Sequence, residues 1–346
     1  MKNFSLAAAI FLFFGCNTLT PDQELESLIQ AYQDYQKGPN ADFILGDYSE
    51  SKFEQRALFS DSLLTQLKEI NTETFQEDDK ISYELLEFVL KEIITQYKFK
   101  THWNPILSDA GFHSSLTYQV RPITNKKGAL NYLKKLKAIP LYIEQQSELI
   151  RKGLEANMGQ PLIIFKGYES TYEQHITPTA EENFYYSPFL NLPTPLSKTE
   201  KDSLQAAAKK VVLEKVIPSF KSVKRFFEEE YYPKTRSAIG VSETPNGKAY
   251  YQSRIDYYTT LNLSPEQIHQ KGLEEVARIK AQMESIVKEV EFKGTLKEFI
   301  TFSQNRFSIL CKNSRRNFSN MREILPKNSM NNYQGFLKHY QENLTE

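Results

Sequence analysis

The sequence predicts a mainly α fold, a multi-helix array or bundle of long amphipathic helices interrupted by a proline- and tyrosine-rich crossing loop. Three observations carry this reading. Only 13 of the 346 residues are Gly, while the good helix formers Glu, Lys, Gln and Leu are abundant. Apolar residues recur at three- and four-residue intervals along much of the chain. Capping signals stand immediately before several of these runs.

At the N-terminus Lys2 precedes an apolar run from Leu6 to Phe14, and Gly15-Cys16 follows at once. Nine apolar residues are too few to span a bilayer as a helix, so residues 1–15 read as an export signal peptide. The small residue before Cys16 resembles a bacterial lipobox, with Phe13 where Leu is usual. In a lipobox the cysteine thiol receives diacylglycerol and becomes the mature N-terminus. Cys16 is therefore the candidate lipidation site and residues 16–21 the tether. Acyl chains, at about 0.8 kcal/mol per buried methylene, make the membrane a partner. The expected location is the bacterial cell envelope, lipid-anchored on the periplasmic or outer-membrane side. Cys311 is the other thiol of the sequence, so no intrachain disulfide framework is available.

Thr20-Pro21-Asp22-Gln23 supplies a cap, a Pro at the first helical position and an acceptor two residues on, and Leu25, Leu28, Ile29, Tyr32 and Tyr35 follow at helical spacing. Residues 76–98 carry Ile81, Leu85, Phe88, Leu90 and Ile93; residues 126–156 carry Leu130, Leu133, Leu136, Ile139, Ile143 and Leu149. Each set is expected to be a buried helix face. Trp103-Asn104-Pro105 marks a break between them. Pro178, Pro188, Pro193 and Pro195 mark residues 176–197 as a crossing between helical layers, because Pro lacks the amide donor and restricts the residue before it. Ser197-Lys198-Thr199-Glu200 is a capping box opening a helix to about Tyr232, with a kink expected at Pro218. Ser264-Pro265-Glu266-Gln267 opens another, striped by Ile268, Val276, Ile279, Met283, Ile286 and Val290.

Lys and Arg total 43 against 43 Asp and Glu, a balance without the basic excess that phosphate-backbone binding needs, so no nucleic-acid partner is expected. The balance is uneven along the chain. Residues 303–346 hold seven basic and three acidic side chains, which leaves 36 basic and 40 acidic in residues 1–302. The same stretch has eight Asn and five Ser, and helical patterning weakens there, so composition changes near Phe302.

The histidines are His102, His113, His175, His269 and His339, and no two stand four apart, so the zinc pair of a His-Glu-x-x-His helix is absent. Nucleophile elbows, phosphate loops and dinucleotide turns are absent from the sequence as well. Two clusters remain. His269, Gly272 and Glu275 recur every third residue; the two polar side chains are expected to form a polar site or its support, and Gly272 to permit close helix packing. Tyr250, Tyr251, Arg254, Tyr257 and Tyr258 set an arginine among tyrosines, a group able to clamp a substrate carboxylate through both arms of its guanidinium. The alternative for that cluster is aromatic packing with a snorkelling arginine.

These residues carry a resemblance. Gly247-Lys248-Ala249-Tyr250-Tyr251, Arg254, Tyr257, Leu263-Ser264-Pro265-Glu266-Gln267-Ile268-His269, Gly272-Leu273, Glu275-Val276-Ala277-Arg278-Ile279 and Met283-Glu284 resemble the bacterial domain-of-unknown-function 885 family. Asp78-Lys80-Ile81, Trp103-Asn104-Pro105 and Val216-Ile217-Pro218 fit it too, so the resemblance covers about residues 22–302. It implies a helical lipoprotein similar to zinc metallopeptidases, whose complete members hold zinc through a His-Glu-Ala-x-Pro-Gly-His-like motif in a C-terminal half. This chain stops before that motif, so no catalytic and no metal-binding residue is assigned in it. Tyr250, Tyr251, Arg254 and His269 match family positions and are the candidate substrate-cleft residues. Shifting the reading frame by one nucleotide from Phe302 to Arg316, and by two from Ser319 to Glu346, permits family-like sequence. Residues 303–346 are therefore expected to be an anomalous tail from two frame changes and a premature stop. The expected function is that of an exported, truncated lipoprotein without the catalytic zinc half. The alternative is a non-catalytic helical lipoprotein that binds a peptide or an envelope partner.

Overall fold

The computed structural model describes residues 19–37, 43–106 and 110–312. The expectations for residues 1–18, including Cys16, and for residues 313–346, including His339, lie outside the described residues. Two compact units divide after Tyr258, inside the segment that composition treats as one.

The larger unit starts with α1 (Pro21–Lys37), where the Thr20 amide donates to Gln23 Oε1 at 3.2 Å. Leu25 of α1 packs with Leu63, Leu64 and Leu67 of α2 (Glu50–Glu69) and with Leu86 and Leu90 of α3 (Glu77–Lys98) in a small apolar core. Helix α2 carries no clean apolar stripe and was not legible in the sequence. On α3 the expected face is wrong in part. Ile81 and Leu85 are 49% and 59% exposed, while Leu90 is buried as expected and Leu86 joins it in the core. The helix carries apolar residues on two sides, and periodicity does not say which side meets α2.

The second, larger core is built on α4 (Lys126–Glu155), whose first turn is capped by Asn125 Oδ1 accepting from the Gly128 amide at 2.8 Å. Leu133, Leu136, Ile139 and Ile143 are buried as expected, while Leu130 is 46% exposed. Near the end of α4, a Cβ at Gly153 would lie 2.4 Å from the Trp103 carbonyl oxygen, so only glycine lets that chain approach. After α5 (Ser170–Glu173) the proline-rich crossing segment contributes buried Tyr185, Tyr186, Phe189, Leu192 and Leu196 to the same core. The capping box Ser197/Glu200 then opens α6 (Lys198–Val211).

The expected helix to about Tyr232 is an unbroken helical run made of α6, a π turn Val212–Val216, α7 (Ile217–Arg225) and a second π turn Phe226–Tyr231. Pro218 lies in the first turn of α7, where its missing amide follows the wide turn and leaves the chain without a sharp break. Helix α8 (Gly247–Thr259) follows, and a Cβ at Gly247 would lie 1.8 Å from the Val241 carbonyl oxygen.

The second unit contains α9 (Pro265–Glu289), with the expected capping box Ser264/Gln267, and α10 (Leu296–Lys312). Phe292 packs against Phe299 and Phe302, both at 5.3 Å between ring centroids. Val287 is buried, but Val276, Ile279 and Ile286 of the expected α9 stripe are exposed. Helix α10 runs through Phe302, where composition changes, to Lys312.

The large core encloses two histidines among aromatic rings. His113 Nε2 meets Thr171 Oγ1 at 2.8 Å, while both ring nitrogens of His175 lack a hydrogen-bond partner. Burial pushes the His113 pKa down to about 3, with His175 adding to the effect, and burial alone pushes His175 down to about 4. Unfolded histidine titrates near 6.5, so both folded values are depressed. The neutral rings therefore contribute stability fully above about pH 6.5, and it is lost as pH falls from there towards the folded values. Thermal melts followed by circular dichroism should show a lower Tm at pH 5 than at pH 7.5. His175→Phe should flatten that dependence, each titrating ring contributing up to about 1.4 kcal/mol per pH unit.

Candidate functional site

Two polar constellations stand out in the larger unit, and both begin on helices of the small core. The first joins α3 to α8. Spacing of four and three residues puts Tyr250, Arg254 and Tyr257 on one side of α8. The Arg254 guanidinium lies 5.5 Å from the Tyr250 ring centroid and 5.1 Å from that of Tyr257. Both its arms meet one carboxylate, Nη1 to Glu92 Oε1 at 2.6 Å and Nη2 to Glu92 Oε2 at 2.8 Å. Phe88 stacks on Tyr257 at 5.1 Å and Phe99 meets Tyr250 edge-on at 5.7 Å, closing the pair in.

The expected arginine clamp therefore exists, and the carboxylate it holds belongs to the protein. Gln96 Nε2 donates to Glu92 Oε1, and Thr101 Oγ1 donates to Gln96 Oε1, so a chain of donors ends on Glu92. Burial pushes the Glu92 carboxyl up, but the hydrogen bonds from Arg254 and Gln96 outweigh it and hold the group below its ordinary range.

The second constellation centres on Glu50, the first residue of α2. Trp103 Nε1 donates to Glu50 Oε2 at 2.6 Å, His102 Nε2 lies 3.1 Å from Oε1, and Lys152 Nζ lies 3.5 Å from Oε2. Burial raises the Glu50 pKa, and the Trp103 and His102 hydrogen bonds more than reverse it. The buried His102 ring is held below its ordinary value by burial despite Glu50 beside it. It stacks against Phe53 at 4.4 Å and Tyr97 at 5.5 Å.

Between these constellations lies a cavity of about 290 Å³. Phe53, Ile93, Tyr97 and His102 make its apolar and aromatic walls, and Arg56, Glu92, Gln96 and Thr101 its polar ones. Of the lining residues the sequence singled out Ile93, as part of a helix face, and His102, as one of the histidines, and neither as a site residue. Glu92 and Gln96 sit in an ordinary amphipathic helix, and Glu92 meets its arginine across 162 residues of chain.

Of the expected cleft residues, Tyr250 and Arg254 come together, while Tyr251 of the same helix is exposed. His269 lies on α9 in the second unit and is exposed. Glu275 is engaged by Arg278 at 2.7 Å and Lys271 at 3.6 Å. A Cβ at Gly272 would meet nothing within 4 Å, so the close packing expected of that glycine does not occur. Zinc does not fit this donor set. Glu275 is neutralised by cations, and the orphaned nitrogens of His113 and His175 face aromatic rings with no carboxylate beside them. Among the described residues no three His, Cys, Asp or Glu converge to hold a metal.

The sequence profile described as "Bacterial protein of unknown function (DUF885)" matches residues 32–345. Its range therefore takes in most of the stretch that composition sets apart after Phe302. The crystal structure of the "putative lipoprotein from Colwellia psychrerythraea" is similar in fold, with a TM-score of 0.63 and 20% identity over 81% of this chain and 53% of that one. The present chain thus spans about half the length of that structure. A comparison with curated proteins gives no match.

The Glu92–Arg254 pair is mostly shielded, with the two side chains 18% and 13% exposed. Glu92→Ala should lower stability by about 1–3 kcal/mol, between the ranges for exposed and fully buried pairs. Arg254→Lys should recover only part of the wild-type value, because an ammonium cannot make the two-armed contact. A double-mutant cycle in urea should return a favourable coupling energy, and additive losses would show that the pair is decorative.

Proposed function

The chain belongs to the bacterial DUF885 family, and on that premise we propose that it is an exported lipoprotein whose helical body binds peptide without hydrolysing it. The family resembles zinc metallopeptidases; on this reading the present residues form the helical, substrate-holding part of such a domain. The zinc ligands of a complete member would come from a C-terminal half, and none of the described residues takes their place.

The observation that carries the reading is the cavity. Its polar side chains converge without a nucleophile, a general base free of partners, or a metal donor set, so its chemistry is recognition. The carboxylates Glu92 and Glu50 beside it are matched by Arg254 and by Lys152. Support for the anchor comes from Gly15-Cys16 after the apolar run and from the printed description of the structural neighbour. Among the described residues no helix is long and apolar enough to cross a membrane.

Two measurements test the proposal. Cys16→Ser should abolish incorporation of radiolabelled lipid and shift the protein out of the membrane fraction, because the thiol is the acyl acceptor. Unchanged fractionation and labelling would remove the lipoprotein assignment. Purified protein should carry no stoichiometric zinc by metal analysis and should leave peptide substrates intact. A tightly held zinc together with peptide hydrolysis would overturn the binding reading.

A further inference from the structure

The cavity between α2 and α3 has an unbalanced charge. Glu92 presents its carboxylate to the cavity but is neutralised by the two-armed contact with Arg254. The other charged lining residue is Arg56, on the exposed side of α2. Its carbonyl accepts from Ser60 Oγ at 2.8 Å, but its guanidinium has no protein partner among the described residues. The cavity therefore offers one uncommitted cation, a fork suited to a carboxylate.

The remaining polar groups point the other way. The Thr101 hydroxyl proton and one of the two N–H groups of Gln96 are spent along the chain that ends on Glu92. What Thr101 and Glu92 have left for a ligand are oxygen lone pairs, which accept N–H groups, and Gln96 keeps a lone pair on its oxygen besides its second N–H. Phe53, Ile93 and Tyr97 supply an apolar surface between these two ends. About 290 Å³ is at the small end of ligand sites, enough for one residue-sized group.

We propose that this cavity binds an α-carboxylate next to an apolar side chain, with Arg56 holding the carboxylate, the oxygens of Glu92, Gln96 and Thr101 accepting its N–H, and Phe53, Ile93 and Tyr97 covering the side chain. That chemistry belongs equally to the C-terminal residue of a peptide and to a free apolar amino acid. The inference rests on the peptide-binding reading above and specifies which end of the peptide is held.

Titration calorimetry on the purified full-length protein tests it, with Gly-Gly-Phe, its C-terminal amide and free phenylalanine as probes. Gly-Gly-Phe should bind, and amidation should weaken it by about tenfold or more, the loss of a charge-assisted pair. Arg56→Gln should weaken the free acid to the same extent, leave the amide unchanged and leave the melting temperature unchanged, because the guanidinium has no structural partner to lose. Arg56→Lys should restore part of the difference. Free phenylalanine binding as tightly as the tripeptide would assign the site to amino acids, and weaker binding would assign it to peptide ends; both outcomes support the carboxylate contact. Equal affinity for acid and amide, or an Arg56→Gln variant that binds the acid normally, overturns this inference while leaving peptide binding standing. No binding of either tripeptide overturns both.

Discussion

The Glu50 carboxylate joins the two hydrophobic cores of the larger unit. It is the first residue of α2, whose far end packs in the small core, and its oxygens receive Trp103 and His102 from the turn after α3 and Lys152 from the end of α4. A negative charge at a helix N-terminus is favourable in itself, and here it also fixes where α4 stands relative to the first three helices. Gly153 makes the junction sterically possible, since any side chain there would strike the Trp103 backbone. The cavity depends on this junction, because His102 stacks on Phe53 and Tyr97 only while its Nε2 is held by Glu50.

On the α4 side of that junction, the large core is organised around aromatic rings. Phe227 is fully buried and lies within 5.3–5.7 Å, ring to ring, of His113, Tyr168, Tyr172 and Tyr231. The π turn Phe226–Tyr231 makes this possible. Its wider turn rotates successive side chains less than an α-helix does, so Phe226, Phe227 and Tyr231 all reach the core. So apolar an interior holds its histidines neutral, and the same burial that fixes the packing makes the unit sensitive to acid.

Glu50 and Glu92 thus both serve the architecture. Glu92 and Glu50 both have pKa values held low by donors around them, and a carboxylate so stabilised is a poor general base. The proposal of binding without bond cleavage leans on that electrostatics more than on the family resemblance. The likeness to the Colwellia psychrerythraea structure, at 20% identity, shows the helical fold.

The amino-acid sequence by itself determined the helical class, the capping boxes at Ser197 and Ser264, the crossing segment of residues 176–197, and the family, because these signals lie in residues close together along the chain. It also placed Arg254 among tyrosines in the right geometry for a carboxylate. Tertiary structure alone decided that the carboxylate is Glu92, that α3 buries Leu86 beside Leu90 with Leu85 left in solvent, and that Pro218 follows a π turn. The physical reason is the same in each case. Periodicity and caps are set by neighbours within one or two helical turns, whereas the choice between two apolar stripes, or the partner of a charge 162 residues away, depends on which surfaces the folded chain brings together.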